Sequence, residues 1–297
     1  MSQFLLTPWL RQSVNSASLR ALKSLGEAKM NKKALKILGL ALSAWIVSLS
    51  TIPGPAGAQG MLGGVDLSSP AFTKAELTRA DVEALIARRG VGAPLDLSDK
   101  SLNGLDLSIL NLSGANLRGA RLNRANLSGA DLSGAVLDQV WALDANFSDA
   151  RLSDAHLFGT QLQGAKMDRA NLAGARLAGD FSGVSLVGAN LSGSDASADM
   201  KNQSMGLMHA IMRGADLRRA NVSHADFSRA DLEFAKMNDA DFSGTDLSGA
   251  DAAGADLRGA NLAGANLKGI DVASARISEA QAVLLGAALN LDRVVKE

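Results

Sequence analysis

The chain has 297 residues, is rich in Gly, and contains no Tyr, no Cys and few Phe or Trp. Without Cys it forms no disulfide and carries no thiol nucleophile or thiolate ligand, and a core so poor in rings must be built from many small contacts. Formal net charge is zero, yet Glu27 is the one acid among residues 1–58. The remainder is mildly acidic and offers no basic footprint for nucleic acid.

Met30-Asn31-Lys32-Lys33-Ala34-Leu35-Lys36 precedes an apolar run, Ile37 to Ile52, and Ala56-Gly57-Ala58 follows. A basic start, a short apolar stretch and an A-x-A site form the pattern of a secretory signal peptide. The run falls short of the ~20 residues that span a membrane. Residues 1–58 are therefore expected to be a targeting segment, with the signal at 30–58 and cleavage after Ala58. The mature protein is then periplasmic or secreted; an uncleaved inner-membrane anchor facing the periplasm is the alternative. Met1 and Met30 are both possible starts.

Residues 59–72 read as a linker. Residues 73–94 read as an N-terminal capping helix, from about Lys74 to Arg89. Thr73 and Glu76 have capping-box spacing, Leu77, Val82, Leu85 and Ile86 form an apolar face, and Gly90 marks the stop. The rival reading makes Ala75-Glu76-Leu77 and Ala80-Asp81-Val82 the first repeats.

From residue 95 to 279 the chain repeats every five residues, as in Ala115-Asn116-Leu117-Arg118-Gly119 and Ala125-Asn126-Leu127-Ser128-Gly129. Call the Leu, Phe or Met position the centre. A small residue stands two before it, Asn, Asp or Arg just before it, and a turn residue after it. An α-helix would scatter these centres round its circumference, and a long strand would send alternate ones to opposite faces. A short extended piece followed by a turn brings the centre and the small residue inward together. Four such units close a square coil, and coils stack by strand-like hydrogen bonds at ~4.8 Å. Gly after the centre suits a turn with φ > 0; units ending in Arg124, Asp149 or Arg169 are expected to use another turn. Leu122 should lie inside, over Leu102, and Asn123 should face solvent. The Ala centres Ala142 and Ala252 leave thin spots in the core.

These motifs resemble the pentapeptide-repeat family, whose A-(D/N)-L-x-x pattern runs through most of residues 95–277. The resemblance implies an all-β solenoid, a right-handed quadrilateral β-helix; its length corresponds to about nine coils and a rod of ~40 Å. The phase holds from Leu97 to Leu177, slips back by one at Phe181, and recovers by Leu207. Residues 197–204 break the motif and read as a protruding loop. Residues 280–297 read as a C-terminal cap or dimerisation helix; the short helix itself is expected from Glu279 to Leu291 and carries Val283, Leu284, Leu285, Leu289 and Leu291.

Little in the sequence suggests chemistry. His156 and His224 stand at distant outward positions, and the Asp and Ser residues occupy repeat and turn positions. No P-loop, dinucleotide fingerprint or H-E-x-x-H is present. No enzyme activity, cofactor, resident metal or small-molecule substrate is expected. A soft-metal site for copper at Met200, Met205, Met208, His209 and Met212 is an alternative, although Met205 and Met212 fall at inward positions. Trp141, Leu143 and Phe158 replace the usual polar residues on one outer edge, one coil apart. They are the candidate partner-binding residues; the other reading has Trp141 folding over the thin spot at Ala142. The leading function is a non-catalytic, exported scaffold that binds a protein, with a possible homodimer through the C-terminal segment. The alternative is a DNA mimic, similar to quinolone-resistance pentapeptide proteins that bind DNA gyrase. Scattered Arg118, Arg121, Arg124, Arg218 and Arg219 and the export signal weigh against it.

Overall fold

A computed structural model describes residues 65–90, 93–198 and 209–296. The expected targeting segment lies outside these residues, as does much of the expected linker and of the loop at 197–204.

The repeats wind into a four-sided coil. On side A, Asp96 pairs in parallel with Asn116, which pairs with Val136, His156 and Arg176 in turn. Side B carries Ser101, Arg121, Trp141 and Gln161; side C carries Asp106, Asn126, Asn146 and Lys166; side D carries Asn111, Asp131, Arg151 and Asn171. Each pairing uses both directions of the parallel ladder: Leu97 N–H donates to the Asn116 carbonyl and Asn116 N–H to that of Leu95, both at 2.8 Å. Every side is too short to be a conventional strand, so the sheet lies along the axis.

The centres and the residues two before them fill the interior, as their period requires. Leu97, Leu117, Leu102 and Leu122 are fully buried, as are Ala115 and Ala120. Ala142 and Ala252 are also sealed from solvent. Outside, the residue before the centre builds the turn: Asp96 Oδ1 accepts from Ser98 N–H at 3.0 Å and Ser98 Oγ at 2.7 Å, an Asx turn. The second residue after the centre sits at the corner in the left-handed region. Arg124, Asp149 and Arg169 do so as well, at φ 57°, 60° and 56°, which corrects the expectation of a separate turn for them. The coil's closure imposes the conformation, and the ladder on either side outweighs the ~1 kcal/mol it costs a residue with a Cβ.

The phase slip is a shortened coil followed by a lengthened one. The ladder steps from Arg176 to Asp195 and then to Asp226, so the first step is one residue short and the second carries the insertion. The missing residue falls beside Gly179, whose backbone lies against that of Thr160.

Both ends differ from their sequence reading. Pro70–Thr73 forms a short helix, α1, and the following helix, α2, is confined to Arg79–Arg88. Its capping box is Thr78 with Asp81, not Thr73 with Glu76, because residues 74–77 leave the helix and bend to reach the first coil: Glu76 N–H donates to the Ser101 carbonyl at 2.8 Å. From α2 and its end, Arg79 donates to the carbonyls of Asp106 and Ser108, and Arg89 to that of Ser113. These carbonyls belong to the open edge of the first coil.

After β1, Arg276–Ile277, the helix α3 spans only Glu279–Leu284. Gln281 is buried and its Nε2 donates to the carbonyls of Leu257 (2.5 Å) and Ala260 (2.9 Å). The chain then resumes the coil instead of continuing as helix to Leu291. Leu289 pairs with Asp271, and β2, Val295–Lys296, pairs in parallel with β1. Leu285 is buried, while Val283 is 83% exposed.

Candidate partner-binding surface

Trp141 and Leu143 flank the Ala142 centre on side B, and both are half-buried. The burial comes from outside the coil. The Phe72 ring of α1 meets the indole of Trp141 edge-on, with centroids 5.0 Å apart and planes at 63°. Leu67, Phe72, Asn123 and Leu143 line a cavity of about 80 Å³ between the N-terminal segment and side B. The structure therefore brings Trp141 and Leu143 together around Phe72. Phe158 is half-buried one coil further on, where its N–H donates to Asp138 Oδ1 at 3.2 Å; it is not part of the Phe72 cluster.

Beneath the same segment lies a polar ladder. Asn103 and Asn123, each only 5% exposed, occupy the position after the centre in successive coils. Asn103 Oδ1 accepts from the Asn123 N–H and from Asn123 Nδ2, both at 3.0 Å. Asn123 Oδ1 accepts from Leu143 N–H at 3.0 Å. With their oxygens fixed by the coil, both amides turn their NH₂ groups outward to the segment's carbonyls. Asn123 thus differs from its sequence reading: it points out of the coil but not into water.

The sequence reading missed Phe72, Asn103 and Asn123. Their signal is faint: Phe72 is the one ring between residues 59 and 94, and Asn recurs at one outer position in two successive coils. It also missed Ile109 and Phe234, which are 80% and 66% exposed at corner positions.

Further along side B the surface is acidic. Asp231, Asp251 and Asp271 stack on consecutive rungs, and Arg213 pairs with Asp231 and with Glu233. Burial raises the Glu233 carboxyl above its ordinary range; Arg213 opposes the shift, and Asp251 and Asp231 add to it. His156 and His224 are exposed on different sides. Of the Met/His segment, only His209 and Met212 fall among the described residues from 199 to 212, and Met212 is buried in the core. No group of three metal-ligating side chains occurs among the described residues.

A four-sided parallel coil with an interior of Leu or Phe centres and small residues, Asx turns and left-handed corners defines a β-solenoid of five-residue units. Residues 101–140, 145–179, 210–249 and 240–278 match the model of pentapeptide repeats, in eight copies. The chain belongs to the pentapeptide-repeat family, whose known structures are right-handed quadrilateral β-helices. Among solved structures it is similar to HetL, a pentapeptide-repeat protein involved in heterocyst differentiation regulation from the cyanobacterium Nostoc sp. strain PCC 7120. Identity is 29%, covering 67% of this chain and 97% of that one, with a TM-score of 0.35. It is also similar to QnrB1, a plasmid-mediated fluoroquinolone resistance protein, at 21% identity, covering 62% and 93%, with a TM-score of 0.34. A third is Rfr23 from the cyanobacterium Cyanothece 51142, at 23% identity, covering 47% and 85%, with a TM-score of 0.26. No curated protein matches the chain.

Proposed function

We propose that the protein is an exported, non-catalytic scaffold that holds a protein partner on the outer sides of a nine-coil β-helix. Residues 1–58 are the targeting segment; of residues 59–72, read as a linker, 66–72 lie against side B. Residues 73–94 cap the N-terminal end, through Arg79 and Arg89, and 95–279 form the solenoid. Residues 280–297 cap the other end through Gln281. A rigid stack of coils presents long flat sides at fixed spacing, which suits recognition. The observation that carries the reading is side B, where Trp141 and Leu143 stand in place of the repeat's polar residues and hold Phe72 against the coil. Trp is among the residues most enriched at binding hot spots. Val283, Leu284, Leu289 and Val295, all exposed, support a second contact, between two copies at the C-terminal end.

Two measurements test this reading. N-terminal sequencing of protein from the cell envelope is expected to begin at Gln59. An envelope protein that co-purifies with the wild type should be lost with the double change Trp141→Ser, Phe158→Ser, while the variant's stability in chemical denaturation falls by no more than the loss of one aromatic pair, about 1 kcal/mol. An intact Met1 or Met30 terminus on cytoplasmic protein refutes export. Retention of the same partner by the double variant refutes the surface.

A further inference from the structure

Residues 66–74 cross side B and are held there in an unusual way. Their helix α1 contains no buried residue. The coil grips the segment by its main chain: Ser101 Oγ donates to the Lys74 carbonyl. Asn103 Nδ2 donates to those of Ala71 (3.0 Å) and Lys74 (3.3 Å), and Asn123 Nδ2 to that of Phe72 (3.4 Å). Every peptide offers such carbonyls, so the donors read backbone and not sequence. Selectivity falls to one ring, Phe72, against Trp141 and Leu143.

Donors for main-chain carbonyls beside one aromatic pocket are how a folded surface takes up a peptide: backbone hydrogen bonds supply affinity and a pocket supplies choice. The site is preorganised, because both Asn amides are oriented by bonds within the coil and do not depend on the segment. The segment, in contrast, contributes no residue to the core, so the coil loses little when it leaves.

We propose that side B of the first three coils is a receptor for a peptide presenting an aromatic residue between exposed carbonyls. Residues 66–74 are its built-in occupant, which a partner peptide displaces. This rests on the scaffold reading and names the chemistry of its partner. An intramolecular occupant lowers apparent affinity by the fraction of molecules in which the site is free, so weakening it should sharpen binding of anything added.

The test uses the full chain with Trp9→Phe and Trp45→Phe, which leaves Trp141 as the one indole. A synthetic peptide of residues 65–76 is titrated into this protein and into its Phe72→Ala form while Trp141 emission is followed. The expected result is a saturable emission change with the Phe72→Ala form, at a Kd at least about tenfold below that of the parent. A peptide with Ala in place of its Phe should give no such change. Phe72→Leu is the second variant, should Phe72→Ala fail to fold by circular dichroism. The proposal is overturned if a folded variant shows no saturable change, if the Phe-less peptide binds equally, or if neither variant folds, which would make the segment integral to the coil. Peptide binding without any co-purifying partner would sustain the receptor and sink the scaffold. A co-purifying partner lost in the Trp141, Phe158 double variant, without peptide binding, would do the reverse.

Discussion

Leu122 and Asn123 are neighbours, and both are buried, for different reasons. Leu122 is inside the coil because five-residue periodicity puts it there, which the sequence makes plain. Asn123 is outside the coil but beneath residues 66–74, a long-range contact that no period announces. Leu122→Asp should cost several kcal/mol, since it buries a carboxylate among apolar neighbours. Asn123→Asp should cost about 1–3 kcal/mol in chemical denaturation, because it keeps the acceptor for Leu143 N–H but loses the donors to Phe72 and Asn103. Equal midpoints for wild type and Asn123→Asp would contradict the burial. Gly179 is a third case. A Cβ there would lie 2.7 Å from the Thr160 carbonyl oxygen and 2.9 Å from its nitrogen, and main chain cannot swing aside. Gly179→Ala should lower stability by roughly 3 kcal/mol. In the sequence Gly179 looks like any other turn Gly; the deleted residue beside it gives it a separate role.

At the scale of the five-residue unit, the corners follow a rule that runs between coils. Most non-glycine corner side chains from Asp99 to Asp239 lean over a Gly at the corner of the next coil. Phe234 lies over Gly254, where a Cβ would come 2.5 Å from its Cδ1, and Asp144 over Gly164, at 2.7 Å from Oδ1. The exceptions are Arg124 with Asp144, Asp149 with Arg169, and Arg219 with Asp239. All are opposite charges, and Arg169 grips Asp149 through two bonds of 2.7 Å. Gly134 shares the backbone conformation of Gly254 but has nothing within 4 Å of a Cβ. Gly254→Ala should therefore destabilise more than Gly134→Ala, and the excess should vanish in a Phe234→Ala background, as a double-mutant cycle would show. The Asx turns make a second unit-scale prediction. Hydrogen bonds from the Ser98 hydroxyl and N–H hold the Asp96 carboxyl below its ordinary range, the same bonds from Ser108 do so for Asp106, and the Arg258 guanidinium holds Asp256 far below it. Lowered folded values stabilise above the unfolded carboxylate range and are lost as pH falls through the folded ones. Melting temperature should be level from neutral pH to about 5 and fall below about 4. Asp96→Asn with Asp106→Asn keeps the acceptors and should flatten that fall.

Across the whole molecule, what could be read from the sequence was whatever repeats. Leu97, Leu117 and Leu137 declare their direction because each is one of many, and the slip near Phe181 is visible as a break in a regular count. What could not be read occurs once: residues 66–74 lying on side B, and the C-terminal chain returning to the ladder through Leu289 after so short a helix. Their positions depend on one another's surfaces and on no period. The corner rule also bears on how such a chain changes over generations. Duplicating one unit would turn every later residue onto the next side. It would set leaning corner residues over neighbours with no room for them, split the Arg and Asp partners, and move the two halves of any binding surface out of line. Duplicating four units restores all of these at once. Inheritance of this shape is therefore expected to proceed by whole coils, and a lineage that gained a single unit would have to lose or insert residues elsewhere to regain its faces.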